Sequence, residues 1–497
     1  MKMRDASDRG PQNSDQVTDM ATPVMRSLGE ILANASEVKV REIVGDISVK
    51  VVEITHDSSQ VVDNSIFCCV VGEQRDGHNF AEAAKKLGAV ALLVQRRLDI
   101  DLTQIVVDDV RSSMGFIAAE IFGRPSKRLK VVGVTGTNGK TTTAHFLASI
   151  LNQHGWSTTV FGTLSGTRTT PESTDLQRAF AAEASGGRQA VVMEVSSHAM
   201  TLRRVEGTNF CVTIFTNLGQ DHLDFHKTTE EYFAAKARLF SGQFTGVCVV
   251  NRDDVHGSLL IDSLAAEPGI VCATFGADDA TQVETSVGKL GFKWRGEKIQ
   301  VSCGGQFNLM NALAAATAAA ELGVAPRDIA KGLAAASAVP GRFESIDAGQ
   351  KFGVIVDYAH TPEALQNVLT AARQLIAKDR RVVVVFGCGG ERDHSKRPKM
   401  GSVATKFADV VYVTSDNPRH EDAQEIIDQI LSGVGESRTA QVEVDRRRAI
   451  GAAFSNAKPG DIVVIAGKGH EATQTIGDEE LKFSDADVSR ELLRFAS

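Results

Sequence analysis

Two short runs in this chain hold side chains that could do chemistry, and each lies where an apolar stretch ends. In KVVGVTGTNGKTTTAHFLASIL a β-branched run passes into a glycine-bearing loop and then into a helical stretch. Backbone N–H groups along Thr135, Gly136, Thr137, Asn138 and Gly139, at the mouth of a helix, can cradle a phosphate. Lys140 adds a point charge, a hydroxyl of Thr141 can join Mg²⁺, and Thr142 follows on the first turn. Strict phosphate-loop spacing asks for glycine at position 134, where Val134 stands; Gly-Lys-Thr-Thr straight after an apolar strand still reads as a nucleotide site. Taken alone, such a site leaves a motor, a switch or a transport ATPase open. The second run, VVYVTSDNPRHEDAQEI, places Asp416, Asn417, Pro418 and Arg419 in the loop after a strand, where open α/β sheets receive ligands. By itself that tetrapeptide reads first as a turn with a helix N-cap.

Other polar residues stand in apolar settings. In the helical stretch after Thr228, Tyr232, Phe233, Lys236, Leu239 and Phe240 recur at three-to-four spacing, so Lys236 falls on the apolar stripe. Spacing alone favours snorkelling, or an ion pair with Asp221 or Asp224. Glu194 closes the apolar run AVVME and His222 follows a strand end at Asn217; a helix cap and a turn account for them equally. Asn308 and Asn311 lie three apart on an alanine-rich helix, an odd use of amides unless they face something.

TGTNGKTT, followed in order by EVSSHA, FTNLGQDHLDFH, YFAAKARLF, FNLMNALAA, PGRFE, VDYAHTPEAL, FGCGGERD, DNPR and GKGHE, resembles the Mur ligase family from about Thr55 to the end of the chain. These are ATP-dependent enzymes that build the peptide stem of bacterial cell-wall precursors. The resemblance implies a three-domain α/β architecture: a substrate-binding domain over 26–125, a central ATP-binding domain with a P-loop-like, mostly parallel sheet over 126–339, and a Rossmann-like amino-acid-binding domain over 340–497. It implies a carboxylate that attacks the γ-phosphate of ATP, and an amine that displaces phosphate from the resulting acyl phosphate. Lys140, Glu194, His222 and Lys236 are the implied catalytic residues. Thr141, Glu194, His222 and Lys236, the last carbamylated by CO₂ to N6-carboxylysine, are the implied Mg²⁺ ligands. Asn311 matches an adenine contact, Arg342 a phosphate contact, and Asp357 with His360 the ribose and phosphate contacts. Asp224 and His226 stand as supporting residues.

For the acceptor, the resemblance implies UDP-N-acetylmuramoyl-L-alanyl-D-glutamate, held by Ser58, Thr169, Thr170, Ser196 and Arg204. Ser59 stands where the family has an arginine. Members that carry Asp-Asn-Pro-Arg use meso-diaminopimelate as the amine and those using L-lysine lack this arginine. Arg392, Gly467 and Glu471 match the remaining contacts to that amino acid. The rivals are an L-lysine-adding or other Mur ligase, folylpolyglutamate synthase and, from another class, an ATP-dependent switch or transport ATPase; the rival ligases lack the paired DNPR and GKGHE runs.

The elements that must position these residues follow from bulk and pattern. A chain of 497 residues, 42% hydrophobic, 23% charged and 6% aromatic, has the composition of a soluble multi-domain enzyme. A net charge of −8 without a basic run gives no reason to expect nucleic acid. Seven cysteines with no C-x-x-C pair point away from a zinc site or disulfide framework and fit a reducing, cytoplasmic compartment; a monomer is expected. MKMRDASDRGPQNSDQVTDM, within residues 1–25, reads as a disordered tail with no signal peptide, and no apolar run is long enough for a membrane span. Strands are expected at Val49 to Ile54, Ser65 to Val71 and Ala89 to Val94, then alternating with helices from Leu129, and again beyond a break at Ala338-Val339-Pro340-Gly341-Arg342.

Overall fold

Strand Lys130–Thr135 is the pivot of a six-stranded, wholly parallel sheet, flanked by Ala190–Glu194 on one side and Val212–Phe215 on the other. Thr158–Phe161 lies beyond the first, and Val247–Asn251 and Val271–Phe275 beyond the second. Strand order therefore reverses at Lys130–Thr135, and the crevice past the carboxyl ends of its neighbours is the natural ligand position. The computed structural model describes residues 25–496 apart from 73, 167, 220–222 and 436–438. The tail, all but Met25, and His222 lie outside the described residues.

Near-continuous β-branched and aliphatic strands mean both sheet faces are buried, and helices cover both. Helix Lys140–Gln153 and the alanine-rich Gln306–Glu321 pack together on one face, where small Ala315, Ala316, Ala318 and Ala319, all fully buried, let the helix approach closely. Phe180, Phe215, Leu239 and Phe240 fill the other face.

A second sheet, of five strands, runs Val40–Val44, Thr103–Val107, Ala89–Val94, Ser65–Cys68 and Glu53–Thr55, with only the first antiparallel. The expected strand over 49–54 is broken at Val52, whose N–H bonds Asn64 O instead of a ladder partner, and the one expected to reach Val71 stops at Cys68. A third sheet, of six strands, carries Gly353–Asp357, Ile462–Ala466, Val382–Phe386 and Val410–Val413 in parallel, with short Glu344–Ser345 and Gln441–Val442 at its edges. Between the last two sheets in sequence, Thr281–Thr285, Leu290–Trp294 and Glu297–Val301 form an antiparallel meander that the sequence pattern did not indicate. Its inward Phe292, Trp294 and Ile299 join the central core, while Val287 packs on the core of the C-terminal sheet.

Behind the C-terminal sheet a fully buried ion pair ties the last helix to two loops. Arg446 Nε and Nη2 donate to Asp485 at 2.7 Å each, and the same guanidinium reaches Ser415 O and Ala466 O, the residues just before the DNPR and GKGHE runs. Removing one partner leaves an uncompensated buried charge. Asp485→Ala is therefore expected to destabilise the C-terminal unit by about 3–5 kcal/mol, read as a shift in its guanidinium unfolding transition; an unmoved transition would mean the pair contributes nothing net.

Candidate active site

The glycine-bearing loop sits at the crevice. Gly139 has φ +85°, and a Cβ there would lie 2.2 Å from Asn311 Oδ1, so only glycine allows the loop to pass this close to the alanine-rich helix. The loop is trussed from the neighbouring strand end: Asn138 N–H donates to Asn217 Oδ1 at 2.9 Å, Thr216 Oγ1 donates to Asn138 O at 2.7 Å, and Thr137 Oγ1 lies 3.1 Å from the Tyr232 hydroxyl. Lys140 Nζ folds back onto Gly136 O and Thr137 O, both at 2.9 Å. The loop faces a cavity of about 490 Å³ that Lys140, Thr141, Glu194, Lys236, Asn311 and Arg342 all line.

Buried oxygens meet at its floor. Thr141 Oγ1 lies 3.0 Å from each carboxylate oxygen of Glu194, whose Oε1 also accepts from Thr163 N–H at 2.9 Å. Glu194 is 1% exposed. A hydroxyl and a carboxylate, desolvated and side by side at a phosphate loop, are the donor chemistry of a hard cation such as Mg²⁺. Lys236, 1% exposed on helix Thr229–Ala237, donates to Gly136 O at 2.9 Å and lies 4.6 Å over the Tyr232 ring. It does lie on the buried stripe, its ammonium turned toward the phosphate loop rather than snorkelling out. His226 is buried beside Tyr232.

The C-terminal unit supplies the cavity's far wall. Arg342 Nη2 reaches Thr141 Oγ1 at 3.4 Å and its guanidinium lies 4.6 Å over Tyr358, while its buried Nε has no hydrogen-bond partner among the described residues. Asp357 accepts from Phe343 N–H at 2.7 Å and Ala359 N–H at 2.9 Å. Burial pushes the Asp357 carboxyl up, against Arg342 and those two donors, which hold it down. His360 lines the same cavity, its Nδ1 2.9 Å from Tyr358 O. Asn308 is turned inward instead, its amide spent on Gly304 O and on Asn311 Nδ2, which orients the Asn311 side chain.

The residues expected to hold the acceptor fall into two groups. Thr169 and Ser196 line the cavity; Thr170 is fully buried beside them, donating to Glu194 O at 2.9 Å and accepting from Ser196 N–H at 3.2 Å. Arg204 looks like a surface residue in sequence but is 13% exposed at its side chain, bonded to Glu172 Oε1 at 2.9 Å and to Thr170 O. Glu172 also takes Arg111, from helix Val110–Ile121 of the N-terminal unit, and Arg168, both at 2.9 Å, so one buried carboxylate gathers three guanidiniums where two units meet. Burial raises the Glu172 carboxyl, yet Arg204 and Arg111 win and hold it below its ordinary range. Sequence reasoning passed over Glu172 because TTPES reads as a plain loop. Ser58 opens the short turn Ser58–Gln60, two residues past His56, whose Nδ1 lies 3.1 Å from Thr174 Oγ1.

A second cluster adjoins the cavity across Tyr358, whose hydroxyl is raised by burial and by the carboxylates of Glu471 and Asp416. Here the DNPR loop follows strand Val410–Val413 and the GKGHE loop follows Ile462–Ala466, both at carboxyl ends. Gly467, at φ +115°, leaves no room for a Cβ, which would meet Asp416 Oδ2 at 2.5 Å. Asn417 Nδ2 donates to Glu471 Oε2 at 2.7 Å. Pro418 is buried, and Arg419 adopts the left-handed φ +54° that turns its side chain onto Gly390 O at 2.5 Å. Arg392 comes from the loop after Val382–Phe386, near Arg419 around Gly389. Among the described residues no three His, Cys, Asp or Glu side chains group as a metal site, all seven cysteines are free, and no helix is long and apolar enough to cross a membrane.

Comparison with known proteins agrees with this arrangement. Residues 50–132 match the Mur ligase family catalytic domain, 134–319 the Mur ligase middle domain and 341–469 the Mur ligase glutamate ligase domain. The UDP-N-acetylmuramoyl-L-alanyl-D-glutamate–2,6-diaminopimelate ligase of Syntrophomonas wolfei is 42% identical over 90% of this chain and 96% of its own. The ligase of the same name from Aquifex aeolicus is 41% identical over 88% and 93%. A solved structure of a protein with that name superposes with a TM-score of 0.68 at 31% identity, over 95% of this chain and 99% of the other. With phosphate loop, buried lysine and paired C-terminal loops in one crevice, and with these matches across its length, the chain belongs to the Mur ligase family.

Proposed function

We propose that this protein is the ATP-dependent ligase that joins meso-diaminopimelate to UDP-N-acetylmuramoyl-L-alanyl-D-glutamate, acting as a cytoplasmic monomer in cell-wall precursor synthesis. The observation that carries the reading is the pairing of the two C-terminal loops, with Arg419, Asn417 and Glu471 converging beside a phosphate-loop cavity. We divide the chain at 125/126 and 339/340, which assigns the amine site to the unit over 340–497 and the phosphate loop to the central one.

Phosphate-loop N–H groups and Lys140 hold the β- and γ-phosphates, Arg342 approaches from the opposite wall, and Asn311, Asp357 and His360 bound the nucleoside end. Thr141 and Glu194, with His222 and a carbamylated Lys236, would hold Mg²⁺, which when bound neutralises charge on the phosphoryl oxygens. The acceptor carboxylate, oriented by Thr169, Thr170 and Ser196, attacks the γ-phosphorus and ADP leaves. The amine then attacks the acyl carbon of the acyl phosphate, phosphate departs with the C–O bond, and the ammonium's protons are lost to solvent or site. Tyr358 lies between the nucleotide cavity and the Asp416 and Glu471 carboxylates, and closure of the C-terminal unit over ATP would keep water from the acyl phosphate. Phosphate release should require ATP, acceptor and amine together; release with ATP alone at the full rate would point to a plain ATPase.

Arg342 tests the division of labour. Its guanidinium reaches Thr141 across the unit boundary and, among the described residues, hydrogen-bonds none of those assigned to the acceptor. Arg342→Ala is expected to weaken ATP binding by about 10–100-fold, the worth of a hydrogen bond to a charged group, with acceptor affinity unchanged in calorimetric titration. Parallel loss of both affinities would contradict the assignment.

A further inference from the structure

Lys468 is 0% exposed, and no site residue above includes it. Its three ammonium protons have three acceptors: Thr473 O at 2.6 Å, Asn417 Oδ1 at 3.0 Å and Glu471 Oε2 at 3.2 Å. Asn417 Oδ1 also accepts from Thr475 N–H at 3.0 Å. Both lone pairs of that amide oxygen are thereby occupied, and the amide cannot turn over without breaking two bonds to donors. One proton of Asn417 Nδ2 goes to Glu471 Oε2 at 2.7 Å. The remaining proton is all the side chain has left to offer, so Asn417 presents a donor and no acceptor. The same ribbon, Thr473–Ile476 paired with Glu479–Lys482, fixes Arg419 through Thr475 O at 3.1 Å and Gly477 N–H at 2.7 Å.

We infer that Lys468 is a positioning residue that sets specificity: together with Thr475 N–H and Glu471 it locks Asn417 as a donor beside Arg419, and so makes the pocket read a carboxylate and refuse a carboxamide at the far end of the amine substrate. This rests on the functional reading above. An unlocked Asn417 could rotate by half a turn and offer its carbonyl to a carboxamide N–H; a locked one leaves that N–H against donors only, which costs binding rather than merely failing to add it. Nothing in this role requires Lys468 to touch substrate.

The test compares kcat/KM for meso-diaminopimelate with that for its analogue carrying a carboxamide at the far carboxyl. The parent enzyme is expected to favour the acid, and Lys468→Met to reduce that preference by about tenfold or more, the scale of one hydrogen bond to a charged group, with KM for ATP and for the acceptor unchanged. Asn417→Ala should reduce it similarly, and Lys468→Met should add nothing further in that background, as coupled neighbours do. Lys468→Met with the parent's preference intact, or two effects that multiply, overturns the inference. Should Lys468→Met fail to fold, Asn417→Ala alone decides it, since an unchanged preference there removes the amide from the reading. A parent enzyme that turns over neither amine would instead sink the functional reading itself.

Discussion

Lys236→Ala is expected to bind ATP and the acceptor yet lose phosphoryl transfer by about 10²–10³-fold or more, the scale of deleting one preorganised group that meets charge developing in the transition state. An ammonium 1% exposed, held 2.9 Å from the carbonyl of the phosphate loop's first glycine, is too well placed to be a packing accident. Carbamylation would convert that cation into an anion in the cavity that Glu194 and Thr141 also line, which suits a site that gathers Mg²⁺ and phosphates. Two companions separate this role from simpler ones. Lys236→Met keeps the stem against Tyr232 and should be as inactive as the alanine variant while melting like the parent. Lys236→Arg keeps a cation but forms no stable carbamate, so it too should be inactive; near-parental turnover in the arginine variant would show that positive charge, not the carbamate, is what the site uses.

Arg419 carries the other large effect. L-Lysine and meso-diaminopimelate offer the same reacting amine on chains of nearly equal length, so discrimination lies at the far end, where one bears a further carboxylate. In the proposed reading Arg419 receives that group: its backbone is held at φ +54° by bonds to Thr475 O and Gly477 N–H, and Nη1 is anchored on Gly390 O. A bidentate arginine–carboxylate contact adds geometry to charge. Lysine would forfeit it and leave the guanidinium facing no counter-ion, so the preference should reach about 10⁴, as in sites built around a polar group the wrong substrate lacks. Arg419→Ala should lower kcat/KM for meso-diaminopimelate by at least about 100-fold, at ~1.4 kcal/mol per decade, with ATP affinity untouched. A weakened ATP affinity of similar size would place Arg419 in the nucleotide site instead.

The sequence was most legible where local pattern and burial agree. The parallel strands ending in Thr135, Glu194, Asp357, Val413 and Ala466 announced themselves as β-branched runs with polar or glycine-bearing ends, and those ends hold the crevice. The place of Lys236 on the apolar stripe was readable from spacing, but spacing favoured snorkelling or an ion pair and did not show its ammonium turned onto Gly136 O. The meander over 281–301 was not legible, because its exposed TQVET strand and RGEK turn are too polar to stand out from a loop, and its stability comes from Phe292, Trp294 and Ile299 packing on a distant helix pair. Strands Val40–Val44 and Thr103–Val107 were missed because their charged or polar residues blur the alternation; neighbours in the sheet decide them. Glu172, Lys468 and Arg446 escaped for one shared reason. Each bonds to groups far apart in the chain, Arg446 joining Asp485, Ser415 and Ala466, and no spacing rule links such positions. His222 lies outside the described residues, so its place among the Mg²⁺ ligands rests on the family resemblance.

The central claim is the identity of the amine, and competition tests it directly. Purified enzyme given ATP, Mg²⁺ and UDP-N-acetylmuramoyl-L-alanyl-D-glutamate, with meso-diaminopimelate and L-lysine at equal concentration, is followed by the mass of the nucleotide product. The site geometry predicts a product heavier by one diaminopimelyl residue and almost none bearing lysine; equal yields of the two, or a lysine product in excess, would contradict it.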